Sequence, residues 1–165
     1  MKKRGQFQMS FGILFSVILI IIFLVFGFYV IQKFLGIQED VQIGKFQENL
    51  QSNIDKYWKI SSGQSEEYTY NVPIEIKYVC FIDLESSGHG AYDDLYDEIK
   101  FYKKTGNNVY FYPEVEGRTN SLDINHVDIE STTETNNPLC LKTRSGEIKL
   151  RLEKVQGNTQ VIVKT

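Results

Sequence analysis

The sequence predicts an α+β protein in which a long N-terminal transmembrane helix leads into a small, antiparallel, β-rich extracytoplasmic head. Three observations predict it. Residues 5–32 carry no charge and are dominated by Leu, Ile, Val and Phe. Apolar residues from Phe34 to Trp58 then recur at helical spacing. Beyond Gly63 the pattern changes to short alternating or clustered runs of β-branched and aromatic residues, separated by turn-rich pieces. The chain is thus divided into a basic leader (1–5), a long helix (6–62, its membrane part 11–31 and its stalk 32–62) and a globular head (63–165).

The apolar run comes first. From Phe11 to Ile31 there are 21 residues, and all but Gly12, Ser16, Gly27 and Tyr29 are Leu, Ile, Val or Phe. As a helix, at about 1.5 Å per residue, the run spans roughly 30 Å, the thickness of a bilayer core. Side chains worth about −0.3 to −0.6 kcal/mol each give roughly −5 to −10 kcal/mol for insertion, with no charge to oppose it. Lys2, Lys3 and Arg4 precede the run, while all 21 acidic residues lie at Glu39 or later. The positive-inside rule therefore puts the N-terminus in the cytoplasm and sends Lys33 and everything beyond it outside. That outer part keeps 15 of the 18 basic residues against the 21 acids, a net charge of about −6.

An ordinary cleaved signal is a poor description of this run. Such signals have an apolar stretch of about 7–15 residues followed by small residues at the cleavage site. Here the stretch is longer, and the only alanine is Ala91. Lipoprotein-type cleavage needs a cysteine close behind the run, and the first is Cys80. The helix is expected to stay on the domain.

The order of cations, then Gly5, then the apolar helix resembles the N-termini of archaeal type IV pilins and archaellins, with their class III signal peptides. The resemblance covers about the first 35 residues. It implies a prepilin-type membrane peptidase cutting between Gly5 and Gln6 on the cytoplasmic side, so that the mature chain begins QFQMSFGILF. It implies other pilin-like subunits, or further copies of this chain, as partners besides the lipid bilayer. Of the family's Q-x-S-x-E-x-x-x-L pattern, Gln8 and Ser10 match; Gly12 stands where Glu is usual and Ser16 where Leu is usual. An uncleaved single-pass anchor is the alternative reading of the same residues. Gly12 and Ser16 are four apart, a small-xxx-small pair on one helix face, and such pairs let membrane helices approach closely. They are the expected self-association surface.

The stalk follows. Phe34, Ile37, Val41, Phe46, Leu50, Ile54 and Tyr57 or Trp58 recur at steps of three or four, with one step of five between Val41 and Phe46. No proline intervenes before Pro73, so one helix is expected from about Ser10 to about Ile60, with Gly36 and Gly44 as possible kink points. Its stripe has two readings: the stem of a filament subunit, or a face packed on the head. SSGQSEE, residues 61–67, is the expected break.

In the head, EYTYNVPIEIKYVCFIDL, NNVYFYPEVEG, SLDINHVDIE, LCLKT, GEIKLRLEKV and TQVIVKT are the expected strands. The last two make a hairpin, with Ile148, Leu150 and Leu152 on one face, Gly157–Asn158 in the turn, and Val161 and Val163 returning. AYDDLYDEIKFYKK predicts one helix from Tyr92 to about Lys103, with Leu95 and Ile99 inward. Cys80 and Cys140 fall in strands on the oxidising side of the membrane, where a disulfide persists; two buried free thiols are the alternative.

Enzyme chemistry finds no constellation, so no catalytic residue, cofactor, metal or small-molecule substrate is expected. His89 and His126 are the only imidazoles and do not share a metal-binding helix spacing. Asp123, Asn125 and Asp128, or Asp93, Asp94 and Asp97, read better as solvated acidic surface than as calcium loops. Ser86 and Ser87 lack a nucleophile elbow. An acidic outer portion without a basic stripe argues against nucleic acid.

Overall fold

Phe11–Trp58 form one helix, α1, of 48 residues. The structure, a computed structural model, describes residues 11–61, 63–101, 106–114 and 119–165. Gly36 and Gly44 lie inside α1, whose helical assignment is continuous through both. Beyond it come β1 (Gln64–Asn71), β2 (Tyr78–Phe81), α2 (Asp93–Phe101), β3 (Val109–Tyr112), β4 (Ser121–Leu122), α3 (Ile129–Thr133), β5 (Leu139–Lys142), β6 (Glu147–Lys154) and β7 (Ile162–Lys164). The chain divides into two compact units, Met1–Gln38 and Glu39–Thr165. The second unit therefore starts inside α1, and the last turns of that helix are part of the head.

All strand pairings in the two sheets are antiparallel. A three-stranded sheet has the order β1-β6-β7 and a four-stranded sheet the order β4-β3-β2-β5. The hairpin expected from the last 20 residues is present, with Leu152 opposite Val163. Its turn uses Gly157 at φ +87°, a left-handed conformation that a side chain resists, with Asn158 N donating to Val155 O at 3.1 Å. β6 also pairs along its whole length with β1, setting Tyr70 opposite Ile148 and Tyr68 opposite Leu150.

Ile43, Phe46, Leu50, Ile54 and Tyr57 of α1 are all buried in the main core, against side chains of both sheets. Phe46 shows how: its ring meets Tyr70 of β1 edge-on at 5.7 Å and Phe111 of β3 edge-on at 5.8 Å. The step of five in the sequence marks a change of face. A five-residue step turns a helix by about 140°; Val41 is left exposed and Ile43 takes the buried place. Tyr57, not Trp58, closes the buried stripe.

The central strands of the four-stranded sheet are buried on both faces, which is why they read as unbroken apolar runs. Val79, Phe81, Val109, Phe111 and Leu141 point into the main core. Cys80, Tyr110 and Cys140 point the other way, into a second cluster that Tyr96 and Ile99 of α2 cover. Within it Cys80 and Cys140, directly opposite in the β2–β5 register, form a disulfide that closes a separation of 60 residues.

Three expectations for the head need correction. EYTYNVPIEIKYVCFIDL is two strands in different sheets, because Val72 and Pro73 lead the chain from one sheet to the other. SLDINHVDIE keeps only Ser121–Leu122 as strand before the chain turns at His126 and enters α3. The head therefore has a second helix, begun by Asp128, whose carboxylate accepts from Ser131 N at 3.0 Å. α3 also explains why β7 is not an open edge: Thr132 Oγ1 accepts from Val163 N at 3.0 Å, and the main chain at residues 126 and 128 bonds Val161 on both sides.

Candidate functional site

Two features of the described residues stand apart from ordinary core and ordinary solvated surface. The first is the apolar part of α1. It is long and apolar enough to cross a membrane: an 18-residue window has a mean hydropathy of 3.1, and none of that window is buried. Phe23, Leu24, Val25 and Phe28 are each about two-thirds exposed. Soluble monomers rarely leave contiguous apolar patches beyond roughly a few hundred Å² uncovered. Gly12 and Ser16 are both exposed on this surface, and the Ser16 hydroxyl donates to Gly12 O at 2.8 Å, so the serine's polar group is satisfied within its own helix. Lys33 extends over the ring of Tyr29 at 5.9 Å, a cation–aromatic pair at the end of the uncharged run. Gly5 and Gln6, the residues of the expected processing site, lie outside the described residues.

The second feature is a ledge at the C-terminal end of α1. Gln51, Asp55 and Trp58 are four and three residues apart, so they share one face of the helix. Facing them is His126, held at φ +66°. Its Nδ1–H donates to Asp55 Oδ1 at 2.9 Å, and its ring lies flat on the Trp58 indole, centroids 3.9 Å apart and planes within 7°. Gln51 secures the arrangement on both sides: its amide nitrogen donates to Asp55 Oδ1 at 2.7 Å and to Asn125 O at 3.3 Å, and its amide oxygen accepts from Asn125 N at 2.8 Å. The His126 hydrogen bond holds the Asp55 carboxyl below its ordinary value, opposed by partial desolvation and helped by Gln51. A depressed carboxylate pKa makes its contribution to stability present above the unfolded value, near 3.8, and lost as pH falls through the folded one. An NMR titration should place the Asp55 midpoint below 3.8, and His126→Ala should move it upward; an unchanged midpoint in that variant would remove the hydrogen bond as its cause.

An Asp–His pair invites comparison with hydrolase triads. A triad needs a hydroxyl or thiol at the second imidazole nitrogen. Among the described residues none hydrogen-bonds His126 there, and the ring is committed to Trp58. His89 is likewise occupied by main-chain carbonyls, those of Ser87 and Glu134, at 3.2 Å each. No group of three or more His, Cys, Asp and Glu side chains among the described residues could hold a metal ion. Next to the ledge, the phenols of Tyr57 and Tyr68 both donate to Glu66 Oε2, at 3.1 and 2.8 Å, and these bonds lower the Glu66 carboxyl. They tie the last turn of α1 to β1.

The sequence places Trp58 on the helix but carries no sign of its partner, since His126 is 68 positions away and reaches it only through a left-handed main-chain turn. Chain-wide comparison with protein-family models, curated proteins and solved structures finds no match, so the functional reading rests on this geometry and on the sequence.

Proposed function

We propose that the chain is a pilin-like structural subunit, or a minor component, of a cell-surface filament, anchored in the bilayer by its N-terminal helix with its head outside the cytoplasm. The observation that carries this reading is the uncharged span of α1, whose most apolar window has no buried residue in the chain's own fold. Its side chains need either acyl chains or neighbouring helices to cover them, and a filament subunit uses first one and then the other. The cations Lys2, Lys3 and Arg4 favour the orientation. The cystine in the head suits an oxidising compartment. The resemblance of the first 35 residues supplies the rest: a prepilin-type peptidase acts at Gly5–Gln6, and the freed helix packs with other copies or other pilin-like subunits, Gly12 and Ser16 among the contacts.

A second reading, a single-pass membrane protein whose extracytoplasmic head binds a partner without forming a filament, is favoured by Gly12 standing where the family usually has an acid. N-terminal sequencing of the protein recovered from membranes and from sheared cell-surface material separates the two. A chain beginning at Gln6 and present in the sheared fraction is the expected result. A chain beginning at Met1 and confined to membranes would give the second reading its place.

A further inference from the structure

We propose that the Trp58–His126 ledge is a saccharide-binding site, with the open face of the indole taking the flat C–H face of a pyranose ring. This reading concerns the head alone and holds for either processing of the helix. Trp58 is the only tryptophan in the chain and remains 42 % exposed although one face is covered by His126. Among the described residues no second ring stacks on it, and the exposed area is what a flat ligand can cover. An exposed indole is ordinarily mobile, and this one is built in. His126 adopts a left-handed main-chain conformation that persists only where neighbouring contacts over-determine it. Those contacts are present: His126 O accepts from Val161 N at 2.9 Å, Gln51 grips the Asn125 peptide from both sides, and Asp55 aims the imidazole. All of this fixes the plane of a side chain that stays 42 % exposed.

A shallow cleft of about 670 Å³ along α1 shares Gln51 and Asp55 with the ledge and is lined besides by Glu48, Ser52, Lys56 and Lys59. It offers ammonium donors, a carboxylate acceptor, and amide and hydroxyl groups that do either. A ring bearing several hydroxyls, each both donor and acceptor, matches that mixed set. An apolar side chain would leave the polar groups without partners, and a strongly charged ligand would meet its own sign on one of them. An aromatic platform beside a few placed polar groups is the general form of a small-ligand site.

Because Trp58 is the only tryptophan, its emission reports on this site alone. The full chain, held in a detergent without a sugar headgroup, is titrated with cello-, N-acetylchito- and manno-oligosaccharides, which are uncharged, share the pyranose ring and differ in substituent and hydroxyl configuration. The expected result is a saturable emission change with at least one of them, at millimolar or tighter Kd. His126→Ala should weaken it by about tenfold or more, and Trp58→Phe should retain measurable binding by saturation-transfer NMR while Trp58→Ala abolishes it. Tyr92→Ala, in the other cluster of the head, should leave it unchanged. No saturable response to any of the three, undiminished binding in folded Trp58→Ala, or a response to an unrelated soluble peptide and to no sugar would each overturn the proposal.

Discussion

Phe46→Ala is expected to lower the unfolding free energy of the head by about 3–5 kcal/mol, the usual range for truncating a buried aromatic. Phe46 is 1 % exposed and lies edge-on to Tyr70 of the three-stranded sheet and Phe111 of the four-stranded one. Removing its ring opens a cavity where α1 meets both sheets, which cannot close over it without separating from one another. The matched control is Val41→Ala, less than two turns away and half exposed, for which a change within about 0.5 kcal/mol is expected. Thermal or denaturant unfolding of the detergent-solubilised chain, followed by near-UV circular dichroism, reads both. Equal losses at the two positions would mean that the helix is attached to the head without being part of its core.

Reducing the cystine, or replacing both cysteines with alanine, is expected to cost a similar amount by a different route. A bridge closing 60 residues stabilises by about 4 kcal/mol in the chain-entropy account, because it restricts the unfolded chain. For a head of this size that corresponds to a fall in melting temperature on the order of 10 °C or more. Alanine is the cleaner replacement, since Cys80 and Cys140 are both buried and a serine hydroxyl there would need a partner. The loss should also be local. Cys80 and Cys140 lie with Tyr96 and Ile99 in the cluster beneath α2, so hydrogen exchange should rise first in α2, β2 and β5, before β1 and β6. A native protein whose thiols alkylate readily without reductant would refute the bridge.

What was legible in the chain and what was not divides along the range of the interactions involved. The hairpin of β6 and β7 could be read directly, since Ile148, Leu150 and Leu152 alternate with charged residues around a glycine turn and everything needed lies within 20 positions. The helix α2 was legible for the same reason: Ile99 is buried and Leu95 packs half-buried against the same cluster, while the larger buried ring, Tyr96, was not foreseen. SLDINHVDIE misled because its alternation is real: Leu122 and Ile124 are buried as a strand would have them. The strand stops at Leu122 because side chains replace the ladder beyond it: Asn108 takes both main-chain groups of Ile124, and Gln51, 74 positions away, takes both of Asn125.

The sequence by itself determined the uncharged apolar helix, the change of period at its far end, the α+β class and the placing of both cysteines in strands, because each follows from neighbours a few residues apart and from the free energy of moving side chains between water and hydrocarbon. Only the tertiary structure decided where the head begins, since the step from Val41 to Ile43 acquires meaning when two sheets arrive to bury one face and leave the other wet. It alone divided the seven strands of the described residues between two sheets, set Cys80 opposite Cys140, and brought His126 onto Trp58. The last two depend on contacts between segments 60 or more residues apart, and all three on packing and register that no local pattern encodes.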